Sequence, residues 1–548
     1  MQRSNKHLMD RQRRNSGRRA AAVAAAAVTS VALAAGGAYA SNSGARAAGR
    51  AVAKAAAGQT LTIQFTPPVS LNPALGGTSQ SDIDFGALDY DSLIYQESNG
   101  SYVGDLATKW GYAPKSKNEI FDMTLRSGVH FSDGSLMTPQ SVVNSIKYFK
   151  SANGPQAAYL ATLTSITATG ANTVQMKFAA PAPDLPFLLD QYQDVGQIIG
   201  PQGIASPASL ATSSDGAGPY ELNANQTVTN SSYVFDENPH YWNPKAVHYS
   251  TVIVKVITDP QTAVSSAASG QVQALTFLPP QVLAPAKTAG LTAYAEPFSI
   301  ASLILMGRSE AGSPLKKMQV REAINDAVDR AALAKGLGGS AAVPTDEVSL
   351  PGTTGYDPGL GKLYSYNPKT AKKLLASAGY PHGFTLQVLD TLALDPNGDI
   401  GAELKSELGA IGITVQITET PSPAQFVPAA LSKKYSAVIW PISQDGYGFP
   451  YSVEFGLAPF TNVFGSTSAA LNALLGTAAT ATTSAAQTAA YEKVNDFLVG
   501  NAWYCPLYGL DSVVAFSSSV KNVQAPTLDN TTVDPVSPIA SQSWYPAS

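Results

Sequence analysis

Leu125-Arg126-Ser127-Gly128-Val129-His130-Phe131-Ser132-Asp133-Gly134, followed four residues on by Thr138-Pro139, is the run on which the fold turns. The alternation Ile120, Phe121, Met123, Leu125 predicts a strand leading into it. Arg126-Ser127-Gly128 reads as a tight turn, and Val129-His130-Phe131 as a returning strand that ends at Asp133-Gly134. Thr138 offers an N-cap hydroxyl, and Pro139 suits the first helical position because an N–H there would lack a partner anyway. Val142, Val143, Ile146 and Phe149 follow at helical spacing. The segment Tyr90 to Lys150 is therefore expected to be strand, turn, strand and capped helix.

The same residues carry a resemblance. Tyr90-Asp91-Ser92-Leu93, Leu106-Ala107 through Trp110, the quoted run and Thr138-Pro139 resemble the signature of the family 5 extracellular solute-binding proteins, the oligopeptide, dipeptide and nickel receptors of ABC importers. Further along, Ser70-Leu71-Asn72-Pro73 resembles the family's Leu-Asp-Pro element with Asn72 for Asp. Gly216-Ala217-Gly218-Pro219-Tyr220 resembles its Gly-Thr-Gly-Pro-Tyr turn, Glu237 to Trp242 its Asn-Pro-x-Tyr-Trp, and Val320-Arg321-Glu322-Ala323-Ile324 the opening of its second lobe. The resemblance spans roughly residues 60 to 520. It implies an α/β fold of the periplasmic binding protein type II, two lobes joined by a hinge, with an extra domain in the N-terminal lobe. The expected division is 59–99 and 181–300 for lobe 1, 100–180 for the extra domain, 301–510 for lobe 2, and 511–548 returning to lobe 1 and ending in a tail.

The chain has 548 residues, 44% of them hydrophobic, enough for a large core and two or three domains. Its formal charge of −4 hides an asymmetry: residues 1–40 hold seven Arg or Lys and one acid, leaving 28 basic and 38 acidic residues beyond them. A mature chain near −10 argues against a nucleic-acid partner. Arg11 to Arg19, the apolar Ala20 to Ala35 and Ala38-Tyr39-Ala40 read as an export signal over 1–40, with 41–58 a flexible leader. The alternative is a retained anchor, and the export route, Sec or twin-arginine, stays open. Cys505 is the single cysteine, so no internal disulfide can form, and its apolar neighbours predict a buried, inert thiol. No cysteine stands beside the signal core, where lipid-anchored relatives carry one, so recovery in soluble form outside the cytoplasm is expected.

Past the opening unit, Ile166 to Ala168 and Val174 to Phe178 read as a hairpin, Val252 to Ile257 as a strand, and Asp259 as the cap of a helix ending near Gly270. Glu296 to Met306 is an apolar strand, Val320 to Leu337 one amphipathic helix with Asp326 and Arg330 paired at i, i+4, and Asn367-Pro368 opens the next helix. Phe384 to Leu392, Ile400 to Ile411 and Ile413 to Thr418 form a β-α-β unit, hence a parallel sheet, with Asp399 as helix cap rather than part of a calcium loop. A helix from Ser484 to Val499, strands at Tyr504 to Leu510 and Val513 to Phe516, and a coil from Thr527 complete the chain.

The strand Ser436 to Trp440 is expected to end in a loop running through Tyr451, and ligands of open α/β sheets bind beyond the carboxyl ends of strands. Trp440, Ser443, Gln444, Asp445, Tyr447 and Tyr451 are the candidate ligand-binding residues there, with Thr78, Ser79 and Gln80 on the facing wall implied by the resemblance. In peptide receptors of the family a Trp-x-x-Asp carboxylate pairs with the peptide amino group. Here Ser443 takes that place, with Asp445 two residues late, and in the nickel-type register Ser452 again replaces Asp. A neutral or anionic solute is therefore expected above a free peptide, since a buried amine without a partner is costly.

No nucleophile elbow, Walker loop or His-Glu-x-x-His is present, and His7, His130, His240, His248 and His382 show no metal-ligand spacing. The expectation is a non-enzymatic, monomeric receptor for a small solute, with no cofactor or metal, serving an ABC permease. The rival is a secreted hydrolase whose acid pair is assembled only by folding.

Overall fold

The computed structural model describes residues 59–76, 80–338, 342–392, 398–421, 423–443, 460–525 and 534–547. The opening unit lies in a four-stranded antiparallel sheet of order β4-β5-β7-β6, made of β4 (Ala107–Tyr112), β5 (Ile120–Leu125), β6 (Leu163–Ala168) and β7 (Thr173–Phe178). The expected hairpin partner of β5 is not Val129-His130-Phe131. β5 pairs with β4 on one side and β7 on the other, which leaves no edge for it. After the turn at Gly128 (φ +76), His130 makes only an isolated bridge to Leu136. The hairpin β6–β7 forms as expected.

The helix Pro139–Ala152 starts where the sequence places it. Thr138 accepts from the Ser141 N–H, the Ser141 hydroxyl accepts from the Thr138 N–H, and Asn153 closes the helix in the left-handed region. Its Val142, Val143, Ile146 and Phe149 face joins Phe121, Met123, Phe131 and Leu106 in one core.

A ten-stranded sheet forms the rest. Its order is β14-β13-β15-β12-β16-β11-β1-β10-β9-β8, with β1 (Thr60–Phe65), β8 (Tyr220–Leu222), β9 (Ser232–Glu237), β10 (Thr251–Val256), β11 (Ala274–Leu278), β12 (Thr292–Ile304), β13 (Thr385–Thr391), β14 (Thr414–Thr420), β15 (Ala437–Ser443) and β16 (Tyr504–Phe516). Two short pairs complete the strands among the described residues, β2 (Ile94–Gln96) with β3 (Tyr102–Gly104) and β17 (Val520–Lys521) with β18 (Tyr545–Pro546). β1 pairs in parallel with β10 and β11 in one half, and β13 with β14 and β15 in the other. Only β12 and β16, thirteen residues each and antiparallel, run through both halves. The segments Tyr504 to Leu510 and Val513 to Phe516 are thus one strand. The two-lobed α/β fold with a hinge follows from this topology.

Three further expectations change. The stretch Val320 to Leu337 is two helices, Met318–Asp326 and Arg330–Leu337, because Asp329 caps the second by accepting from the Ala332 N–H. Asp326 and Arg330 therefore do not share a helix. The Arg330 guanidinium turns inward to the Pro506 and Asn325 carbonyls instead. Asp399 is the first residue of the helix Asp399–Ala410, and Gly398 (φ +69) takes the cap position. Beyond residue 533 the tail is not coil throughout: β18 pairs with β17, and Trp544 is buried against Val520 and Val536. The caps at Asp259 and Asn367 form as expected.

Candidate functional site

The signature motifs converge, but on a structural joint. Trp242 donates its indole N–H to Asp91 at 2.6 Å, and the Arg126 guanidinium lies 3.7 Å over the Trp242 ring while donating to the Asp105 carbonyl. Gly216 and Gly218 press on the backbone of Asp89 and Tyr90, where an added Cβ would meet backbone atoms at 1.9 and 2.5 Å. Asn238 donates to the Gly218 carbonyl at 2.8 Å. Burial raises the Asp91 carboxyl to about 7 against the opposing hydrogen bonds of Trp242, Tyr241 and Asp105, and burial followed by the charge of Asp91 drives Asp105 well above the ordinary carboxylate range. This is the acid pair a hydrolase would need. The adjoining cavity is about 10 Å³, room for about one water.

Strand register points to a candidate ligand site elsewhere. Leu278 at the carboxyl end of β11 is opposite Val513 of β16, and Ser443 at the carboxyl end of β15 is opposite Ser299, which faces Leu510 of β16. The carboxyl ends of both parallel sets therefore point at one place, the middle of the β12–β16 crossing, from opposite sides. Ligands of open α/β sheets bind beyond such ends. The ladder is irregular there, with register breaks between Pro297 and Ser299 on β12 and between Leu275 and Leu278 on β11.

Of the candidate residues, Gln80 opens the helix Gln80–Asp89 and donates its amide to Asp84 at 2.9 Å. Ser443 belongs to β15 rather than to a loop after Trp440. β13 pairs with β15 only through Ala437 and Val438, so past Val438 that side carries no ladder and Pro441 is accommodated within the strand. Trp440 stacks on Phe426 (ring centroids 4.6 Å, 27°) and meets Phe460 edge-on at 5.4 Å, leaving the indole half-buried. Thr78, Ser79, Gln444, Asp445, Tyr447 and Tyr451 lie outside the described residues, as do Asp395 to Asn397 and Ser452.

The sequence reading missed what stands at the crossing. Phe277 in the β11 bulge and Phe298 in β12 meet edge to face, centroids 5.4 Å apart at 75°, and both are half-buried. Ser299 and Ser512 are buried with hydroxyls that have no hydrogen-bond partner. Phe277 sits in an apolar run and Phe298 in an apolar strand, so neither differs in pattern from core. Cys505 is buried beside Arg330, and burial pushes its thiol up to about 11. Among the described residues no group of three His, Cys, Asp or Glu could hold a metal ion, and no helix is long and apolar enough to cross a membrane.

Two lobes of parallel strands facing each other across a two-strand hinge define a periplasmic-type binding protein. Residues 101–459 match the bacterial extracellular solute-binding proteins, family 5 middle, and the chain belongs to that family. It is 25% identical over 314 residues to the glutathione-binding protein GsiB of Salmonella paratyphi A, covering 56% of this chain and 59% of that one. It is 24% identical over 354 residues to the dipeptide-binding protein of Escherichia coli, covering 59% and 63%. The chain thus spans less than two thirds of these relatives' length. Its fold is similar over almost the whole of two solved structures. The binding protein AgaA in complex with agropinic acid, from Agrobacterium tumefaciens R10, superposes with a TM-score of 0.76 at 20% identity, covering 89% of this chain and 99% of that one. DppA of Helicobacter pylori in complex with the peptide STSA gives 0.73 at 22%, covering 89% and 98%. The hydrolase alternative finds no support among them.

Proposed function

We propose that this protein is an exported, monomeric solute receptor that holds a small solute between its lobes at the β12–β16 crossing, closes on it and presents the closed form to an ABC permease, without catalysing a reaction. The observation that carries the reading is the convergence of both sets of strand carboxyl ends on one hinge in a family 5 chain. Lobe 1 comprises 59–99 and 181–300 with the return of 511–548, the extra domain 100–180, and lobe 2 301–510. The reading includes a cleaved signal over 1–40, so mature protein recovered outside the cytoplasm should begin near Ser41. Relatives named for glutathione and dipeptides, and a fold neighbour holding agropinic acid, support a small organic solute. With Ser443 where peptide receptors of the family carry Asp, the preferred solute is neutral or anionic rather than a free peptide.

The test uses the mature protein from its own host. Native mass spectrometry should weigh a co-purified small molecule. Adding that molecule to stripped protein should shift tryptophan emission, through Trp440, and reduce the radius of gyration in small-angle scattering. No change in either signal across a broad solute library would refute the receptor reading. A free peptide whose binding collapses on Asp445→Asn would refute the solute preference alone.

A further inference from the structure

We propose that the Phe277–Phe298 pair is the specificity subsite of the cleft, and that the solute carries an aromatic or comparably flat apolar group which docks against these rings. The inference rests on the receptor reading and narrows it. The two rings come from strands on either side of β16, since the local order is β12-β16-β11, and they meet across it. Leu278 lies opposite Val513, and Pro297 opposite Asp511, so the meeting point is over residues 511 to 513, where the two sets of carboxyl ends converge.

The backbone at this point is not what an apolar residue in a core strand adopts. Phe277 has φ +50, in the left-handed region that disfavours a bulky side chain, and it does so inside a register break. Such conformations persist where surrounding structure imposes them, and they gather at ligand clamps. The consequence here is that Phe277 is turned onto Phe298. Neither ring is fully buried, unlike the core phenylalanines Phe65, Phe85 and Phe121, so each keeps a surface to offer. Two unpartnered buried hydroxyls, Ser299 next to Phe298 and Ser512 on β16, stand within two residues of the meeting point. They put neutral hydrogen-bonding groups close to the meeting point in the chain, next to the buried carboxyl of Asp511 opposite Pro297. An edge-to-face pair accepts a third ring at the same preferred angles.

The experiment uses the mature protein and pairs of probes with and without a phenyl group: N-acetylphenylalanine and N-acetylalanine, phenyl and methyl β-glucoside, and Phe-Phe and Ala-Ala dipeptides, each titrated by calorimetry. In whichever pair binds, the phenyl member should bind about tenfold tighter. Phe298→Leu should bring that ratio close to one by weakening the phenyl member far more than the methyl member. Phe277→Gly removes the other ring and also suits the positive φ, so it keeps the fold and should collapse the ratio in the same way. A methyl member bound as tightly as its phenyl counterpart, or a ratio that survives both substitutions, overturns the subsite and leaves the receptor standing. If no member of any pair binds while the co-purified molecule still compacts the protein, the subsite falls and the receptor reading stands.

Discussion

Gly216→Ala should destabilise the protein strongly, and the size of the effect follows from what the new methyl group meets. An added Cβ would stand 1.9 Å from the Asp89 carbonyl oxygen, 2.8 Å from its carbon and 2.6 Å from the Tyr90 ring. The ring could shift, but the carbonyl is backbone, and Gly216 is itself held by the Ser132 N–H at 2.8 Å. Overpacking of a well-packed site costs about 1 to 3 kcal/mol, and a contact with backbone that cannot rotate away belongs at or above the upper end. With a urea slope of about 3 kcal/mol per M, such a loss moves the unfolding midpoint down by about 1 M. Gly476→Ala is the control. It lies exposed within the helix Ala469–Thr480 with nothing within 4 Å of its added Cβ, and there the same substitution should raise stability by about 0.5 to 1 kcal/mol. Urea titrations followed by circular dichroism measure both. If Gly216→Ala unfolds at the wild-type midpoint, the motif glycines are not required by the approach of Asp89 and Tyr90.

Thr138→Ala should lower stability by about 1 kcal/mol while Thr138→Ser does not, because the serine hydroxyl can still accept from the Ser141 N–H; thermal melts of the two variants decide it. Glu347 is buried, receives the Asn495 amide at 2.7 Å, and burial raises its carboxyl to about 7. Between about 4.5 and 7 the folded chain keeps that proton while the unfolded chain has released it, so its contribution to stability declines as pH rises through this window. The melting temperature of Glu347→Gln should accordingly fall less than wild type between pH 4.5 and 7, and equal slopes would contradict the assignment. Cys505, buried and with its thiol pushed up to about 11, should resist a maleimide at pH 7 in the folded protein and react only after denaturation.

The elements legible in the sequence were those set by local rules. The Thr138, Asp259 and Asn367 caps, the β6–β7 hairpin and the β-α-β unit all depend on residues close in the chain. The partner of β5 was not legible, because β7 lies some fifty residues beyond it and competes successfully with the nearby Val129 to Phe131. The break between the two helices near Ala327 was hidden by continuous apolar spacing. Asp329 as a cap was the available signal. At the site, the strand before Ser443 was recognisable, yet its extent depended on where β13 stops pairing. The aromatic pair at the crossing depended on a bulge and a positive φ that apolar periodicity does not mark.

The shared strands of the hinge also bear on how the molecule comes apart. β12 and β16 give Ala293, Val513 and Ala515 to the core on one side, and Ala301, Leu303, Cys505 and Leu507 to the core on the other. Lobe 2 takes its central pair of strands partly from chain that also completes lobe 1, so melting either half strips apolar side chains and ladder bonds from its neighbour. Halves produced separately by cutting the gene after residue 304 would each lack one of these strands. Mixing them should restore structure by strand complementation, each fragment serving as the missing template for the other.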